Sequence, residues 1–267
     1  MEGKKTKIAI IGGGNMGGAI TMALSKKEEY EVFLYERTME KAKALLDECP
    51  ITLLSSISEA VDMDCVIIAL KPQNLPSFYH KLQPLAPKLF ISICAGVDLE
   101  TLKNNLGCKD VVRFMPNIGA KVGKSVTAVA ADSTLREELL DLILDIAASF
   151  GDAFLLDESL FSAFIGISGS AIAFVFDFMH NLAMAGVREG IPYNKALSIV
   201  SGTLESAAML QKATGKGAIE LETMVCSPRG TTIEGIKALT DGGFASIVQD
   251  AVDATVRKSE EMTRNTK

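Results

Sequence analysis

Apolar positions in the first half of the chain fall in short, nearly unbroken runs at residues 7–11, 31–35, 65–70, 89–93 and 111–114. Runs of this length without polar alternation predict strands covered on both faces, the condition of a parallel sheet. Between them, apolar residues recur at helical spacing near residues 16–25, 39–48 and 99–104. Strand and helix in alternation imply parallel strands joined by right-handed crossovers, hence a doubly wound sheet.

Past residue 156 the strand pattern stops and helical periodicity takes over, at residues 172–189, 193–212, 233–240 and 245–262. The expected division is therefore a sheet domain over residues 1–156 and an all-helical domain over 157–267, joined through residues 152–157. Residues 159–176 hold no charged side chain and approach the ~18 apolar residues at which a helix can span a bilayer. Gly166, Ser168, Gly169 and Ser170 interrupt that run, and Asp177 and His180 follow at once, so it predicts a loop feeding a buried helix, with no membrane span. A helix apolar on nearly every side must be buried against something large. In a domain this small, a second subunit is the candidate.

Composition narrows the partners. The 267 residues are 48% hydrophobic and only 6% aromatic, and the net charge of −6 is spread without long runs of one sign. That balance argues against nucleic acid or an anionic membrane surface and toward a small molecule. Five cysteines form no CxxC pair, and His80 and His180 are the only histidines available to join them at a metal. The expectation is a reduced, cytoplasmic, metal-free protein. The N-terminal MEGKKTKIAIIGGG has an apolar run too short for a signal peptide and ends in glycines, so no targeting segment is read there.

The stretch IAIIGGGNMGGAI places Gly12, Gly14 and Gly17 as G-x-G-x-x-G between the first strand and the first helix. The first glycine permits a tight turn, and the second lets backbone approach a pyrophosphate that sits against the positive helix N-terminus. An acidic residue, Glu36, lies 19 positions beyond Gly17 at the end of the second strand. This is the context that turns a glycine-rich turn into the dinucleotide fingerprint of a Rossmann domain. Glu36 can accept hydrogen bonds from a ribose 2′-hydroxyl and repels a 2′-phosphate, whereas Arg37 can stack on adenine or pair with that phosphate. The cofactor is therefore NADPH or NADH, with a slight tilt to NADH. Plain solvation of both charges at a strand end is the alternative.

Several separated motifs together resemble the pyrroline-5-carboxylate reductase family, over almost the whole chain: GGGNMGGAI, ALKPQ at residues 69–73, ISICAGV at 91–97, RFMPNIGAKVG at 113–123, SGSAIAFVF at 168–176 and VCSPRGTTIEGI at 225–236. The resemblance implies NAD(P)H-dependent reduction of 1-pyrroline-5-carboxylate to L-proline, by dimers with interlocked helical domains that often assemble into larger rings. It also implies that the cofactor contacts Gly12, Gly14, Asn15, Met16 and Gly17, then Glu36 and Arg37, then Ala69, Lys71 and Pro72, and further Ala95, Gly96 and Asn117. The substrate would be bound by Ser227, Gly230, Thr231 and Thr232, with Thr232 as the catalytic residue, in a cleft between one subunit's nucleotide domain and the helical dimer; Arg229, where the family has glycine, adds a cation beside the carboxylate that tightens the site, accepts a larger acid or points to solvent.

Chemistry makes the last turn plausible in its own right, because unpaired N–H groups at a helix N-terminus receive a carboxylate well. The Thr232 hydroxyl can then hydrogen-bond the ring nitrogen of a cyclic imine and hold its carbon for hydride transfer. A protonated imine gains no negative charge on accepting hydride, so neither a metal nor a strong catalytic acid is required. The bland reading of Ser227, Thr231 and Thr232 is a helix cap. Lys71 could pass for a catalytic lysine, although the resemblance gives it the nicotinamide side of the cofactor, and His180 reads as a core histidine. Two departures from the family pattern, Ala171-Ile172 for Gly-Pro and Arg229 for Gly, bear on the substrate. A reductase of another cyclic imine or small oxo acid, or a non-catalytic NAD(P)-sensing regulator, remain the alternatives.

Overall fold

All five expected strands and three crossover helices form, and the chain adds elements that its pattern does not announce. A computed structural model describes residues 5–264. In chain order the first part contains β1 (Thr6–Ile11), α1 (Asn15–Leu24), β2 (Tyr30–Tyr35), α2 (Met39–Glu48), β3 (Thr52–Leu53), β4 (Cys65–Ile68), α3 (Tyr79–Leu82), β5 (Leu89–Ser92), α4 (Leu99–Leu106) and β6 (Val111–Met115). It continues with β7 (Ser125–Ala130), α5 (Leu140–Ala148), β8 (Gly151–Leu155) and α6 (Phe161–Phe164). The eight strands form one sheet in the order β3-β2-β1-β4-β5-β6-β7-β8. Pairing is parallel except between β6 and β7, which run antiparallel with Phe114 opposite Val129.

Strand order reverses between β1 and β4, where Ile11 pairs with Tyr35 on one side and with Ile68 on the other. The loops leaving those two strands diverge to opposite faces, and the crevice between them is where such sheets bind ligands. Both faces are covered, as the unbroken apolar strands require. Ala9, Ile11, Val66, Ile68 and Phe90 pack with Phe78, Leu102 and Phe161 on one face. Ile8, Ile10, Ile67 and Ile91 pack with Ile20, Leu24 and Ile146 on the other.

One charge is buried in this sheet. Arg113 in β6 is 5% exposed and donates to Glu158 Oε1 at 2.6 Å, an oxygen that also accepts the Leu99 N–H at 2.8 Å. The guanidinium lies over the Phe161 ring, 4.8 Å from its centroid. Glu158 thereby ties the segment after β8 to the sheet and to the start of α4, and its loss would leave the buried Arg113 cation without its counter-charge.

The rest of the chain is helical: α7 (Ala171–Arg188), α8 (Tyr193–Thr214), α9 (Ala218–Val225), α10 (Thr231–Asp241) and α11 (Phe244–Arg264). Packing separates two compact units, one comprising the chain up to Gly169 with the part from Thr255 onward, the other Ser170–Ala254. The expected loop before α7 is instead helical, through α6 and a π-helical turn at Ile165–Gly169. Its glycines are absorbed because the wider π turn tolerates them and the run carries no proline to break it. The expected buried helix is bare in the single chain: of α7, only Ala183 is fully covered, and Phe176 is 62% exposed. Ala183, Ala196 and Val200 make the second unit's whole buried apolar cluster. The continuous run Glu158–Arg188 is long and apolar enough, by length and composition, to cross a membrane.

Candidate functional site

Three glycines at the β1–α1 junction meet three different surroundings. Gly12 has φ +115°, and a Cβ there would lie 2.6 Å from the Ala69 carbonyl oxygen across the switch point. A Cβ on Gly17 would lie 1.9 Å from the Gly12 carbonyl oxygen and 2.9 Å from Ala69 Cβ, so α1 can dock on the β1 and β4 ends only with glycine there. Gly14 has nothing within 4 Å of its missing Cβ. It is also the N-cap of α1 and supplies no side-chain cap. No side chain caps the first turn of α1 at Asn15 and Met16, which fits a pyrophosphate approaching the backbone.

Glu36, leaving β2, closes the far side of this loop. Its Oε2 accepts the Gly13 N–H at 2.7 Å and its Oε1 accepts the Thr38 N–H at 2.8 Å. Partial burial works against ionisation, but the N–H groups of Thr38 and Gly13, the Thr38 hydroxyl and Lys41 outweigh it, holding the carboxyl below its ordinary range. Gly12, Gly14, Glu36, Arg37, Ala69 and Lys71 together line a cleft of about 270 Å³. Phe78 walls the same cleft, with the Arg37 guanidinium over its ring at 5.8 Å from the centroid.

The remaining expected cofactor residues follow the same edge of the sheet. Ala95 and Gly96 leave β5, Gly96 at φ +75°. Asn117 leaves β6, and its side chain is already committed: Oδ1 accepts the Gly119 N–H at 3.0 Å and Nδ2 donates to Ser168 Oγ at 3.1 Å. Its backbone is committed as well: the N–H donates to Ser125 Oγ at 3.1 Å and the carbonyl accepts the Ala120 N–H at 3.1 Å, so Asn117 shapes the loop after β6. Pro72 faces a neighbouring cleft with Tyr79 and Val97, apart from the glycine loop. Among the described residues no group of three His, Cys, Asp or Glu side chains is placed to hold a metal.

Sequence reasoning missed Phe78, which belongs to no periodic run and gives no local signal. It also missed the pairing of Arg113, whose signal is present: an arginine inside the apolar run VVRFM must find a buried partner.

The second unit carries the turn before α10. The Gly230 N–H donates to the Ser227 carbonyl at 2.9 Å, and Arg229 between them adopts φ +58°. A left-handed third position in a four-residue turn favours glycine, and holding a side chain there costs about 1 kcal/mol. A Cβ on Gly230 would lie 2.2 Å from Ser227 Oγ, so a side chain there forces that hydroxyl to turn away. That hydroxyl is folded over the backbone from which α10 starts. The capping reading fails here: the N-cap is Gly230, with no side-chain hydrogen bond to the helix. Among the described residues no hydrogen bond engages the hydroxyls of Ser227, Thr231 or Thr232. Three hydroxyls in and beside the first turn of an 11-residue helix are thus left without a hydrogen-bond partner among the described residues. Such an end can receive a carboxylate and, through Thr232, a hydrogen-bonding ring atom.

Comparison with known proteins covers both units. Residues 158–262 match the family described as pyrroline-5-carboxylate reductase dimerisation. Residues 7–96 match the family described as NADP oxidoreductase, coenzyme F420-dependent. The pyrroline-5-carboxylate reductase of Aquifex aeolicus is 35% identical over 258 residues, covering 96% of this chain and 97% of that protein. Among solved structures, a pyrroline-5-carboxylate reductase from Coxiella burnetii superposes with a TM-score of 0.89 at 25% identity, covering 97% of this chain and 99% of that one. Plasmodium falciparum pyrroline carboxylate reductase with NADP bound superposes with a TM-score of 0.86 at 26% identity, covering 98% and 99%.

Proposed function

The chain belongs to the pyrroline-5-carboxylate reductase family, and from that premise we propose how its residues carry out NAD(P)H-dependent reduction of 1-pyrroline-5-carboxylate to L-proline. The nicotinamide, when bound, supplies a hydride to the imine carbon. The chain's own residues bind, orient and hold. Gly12 and Gly17 fit α1 against the switch point, and the open space at Gly14 with the uncapped start of α1 receives the pyrophosphate. Glu36 and Arg37 meet the adenosine end, Ala69 and Lys71 lie beyond them, and Ala95 and Gly96 extend the edge toward the nicotinamide, with Asn117 bracing the loop after β6 on that side.

In the second unit the first-turn N–H groups of α10 and the Ser227 and Thr231 hydroxyls hold the substrate carboxylate, with Gly230 letting it approach the backbone. Thr232 Oγ1 hydrogen-bonds the ring nitrogen. As the C=N bond becomes C–N, hydride adds to carbon and the nitrogen, already protonated, becomes a neutral secondary amine. The site has no oxyanion to stabilise, so positioning by Thr232 is the chemistry asked of the protein, and alignment of this kind lowers a barrier by several kcal/mol. The observation that carries this reading is the uncapped, hydroxyl-rich start of α10.

Glu36, ionised and locked between two N–H groups, tilts the adenosine pocket toward NADH, with Arg37 the residue that lets NADPH enter as well. The active form is a homodimer: the dimerisation match spans α7 through most of α11, the same helices left bare in one chain. That match also accounts for the apolar run Glu158–Arg188 without a bilayer. Rings of such dimers are the larger assembly we propose. Five free cysteines fit a reducing, cytoplasmic location. The test is turnover of NADH and NADPH with 1-pyrroline-5-carboxylate against other cyclic imines and 2-oxo acids. Efficient reduction of the pyrroline acid alone supports the reading, and preference for another acid overturns it.

A further inference from the structure

Arg229 is held under two unfavourable conditions at once. Its backbone occupies the left-handed region at φ +58° in a turn position that glycine fills without strain. It is also the residue just before the N-cap of α10, so its cation is carried next to the positive end of that helix's dipole. The side chain is exposed, and among the described residues it has no ion pair: Glu234, the acid in the first turn of α10, does not engage it. A cation at a positive helix end is relieved by an anion placed between the two, where the guanidinium fork and the helix N–H groups bind it from two sides.

We propose that Arg229 is a specificity-determining residue of this reductase, a cationic clamp on the substrate's carboxylate. The inference rests on the reading of the Ser227–Thr232 turn as the substrate site, and extends it from N–H groups and hydroxyls to a formal charge. A clamp on a group distant from the reacting carbon binds ground and transition states alike, so it sets KM for the acid and leaves kcat in place. It also makes substrate binding sensitive to ionic strength.

The experiment is steady-state kinetics with 1-pyrroline-5-carboxylate for wild type, Arg229→Gln, Arg229→Lys, Arg229→Gly and Thr232→Ala, each at low and high salt. Arg229→Gln keeps a side chain in the strained turn and removes the charge; it is expected to raise the substrate KM roughly tenfold, with kcat and the cofactor KM unchanged. The wild-type rise of KM with salt should flatten in this variant. Arg229→Lys should recover part of the loss, since an ammonium restores charge without the fork. Arg229→Gly should match Arg229→Gln in KM while melting at a higher temperature, which separates the charge from the strain. If Arg229→Gln leaves KM and its salt dependence as in wild type while Thr232→Ala slows turnover, the clamp is overturned and the substrate turn stands. A shift confined to the cofactor KM also overturns the clamp. If neither variant changes the kinetics, the substrate turn is misplaced and the clamp falls with it.

Discussion

In the adenosine pocket proposed above, Glu36 is the residue on which cofactor choice turns. Its carboxylate stays ionised through the neutral range because the N–H groups of Thr38 and Gly13 outweigh the cost of its burial. A 2′-phosphate brought beside that charge meets a repulsion of about 1–4 kcal/mol across the dielectric range of a protein surface. Glu36→Ser is therefore expected to move the ratio of kcat/KM for NADPH over NADH upward by roughly tenfold. Initial rates with both cofactors read this directly, and an unchanged ratio places the determinant elsewhere, Arg37 first. The glycine loop and Glu36 were legible in the sequence because each serves a local backbone need: a turn, a close approach, a strand end. Phe78 was not, because its place beside Arg37 is set by the path of the chain between β4 and α3. The lack of a cap on α10 was equally hidden, since Ser and Thr before a helix read as caps by default.

Strands buried on both faces announce themselves, and β1, β2, β4, β5 and β6 were read within a few residues of their ends. By contrast, β7 and β8 escaped. The sequence of β7, SVTAVA, mixes small and hydroxyl residues, and β8, GDAFL, is a partly exposed edge strand. Their place is fixed by pairing with the sheet, a nonlocal effect. One tie between elements carries a pH signature. Lys103 of α4 bonds both Asp132 and Thr134 in the segment after β7. Desolvation works against ionisation of Asp132, but Lys103 and Thr134 outweigh it and bring its carboxyl down to about 2 from 3.8. A lowered folded value means that the tie contributes its full stability above about 3.8 and loses it as pH falls through about 2. Asp132 is 42% exposed, so the contribution is screened, ~0.5 kcal/mol. Asp132→Asn should lower Tm by about 1–2 °C at pH 6, and the gap should close as pH is taken toward 2. A gap that persists unchanged at pH 2 contradicts the assignment.

For the whole molecule, the disparity between the two units decides the assembly. The sheet has a full core on each face, whereas Ser170–Ala254 buries only three apolar residues completely and exposes Phe176, Ile199, Met209, Ile219 and Ile247. Apolar surface of that extent marks an interface. Sedimentation at micromolar concentration is expected to show a dimer or a multiple of it, and a stable, active monomer contradicts this. The need for a second subunit was legible in the charge-free run at residues 159–176, but its helical start was not, because glycines and serines there read as loop.

What joins the scales is the claim that the turn from Ser227 to Thr232 is where substrate is held. The most direct measurement is kcat/KM of Thr232→Ala with 1-pyrroline-5-carboxylate, beside its cofactor affinity and Tm. Loss of the hydrogen bond that aligns the imine should lower kcat/KM roughly ten- to hundredfold, about 1.4–2.8 kcal/mol of transition-state stabilisation. Cofactor affinity and Tm should stay within error of wild type, because the Thr232 hydroxyl has no hydrogen-bond partner among the described residues. Full efficiency in this variant, with wild type reducing the pyrroline acid well, contradicts the account and removes the substrate from the start of α10.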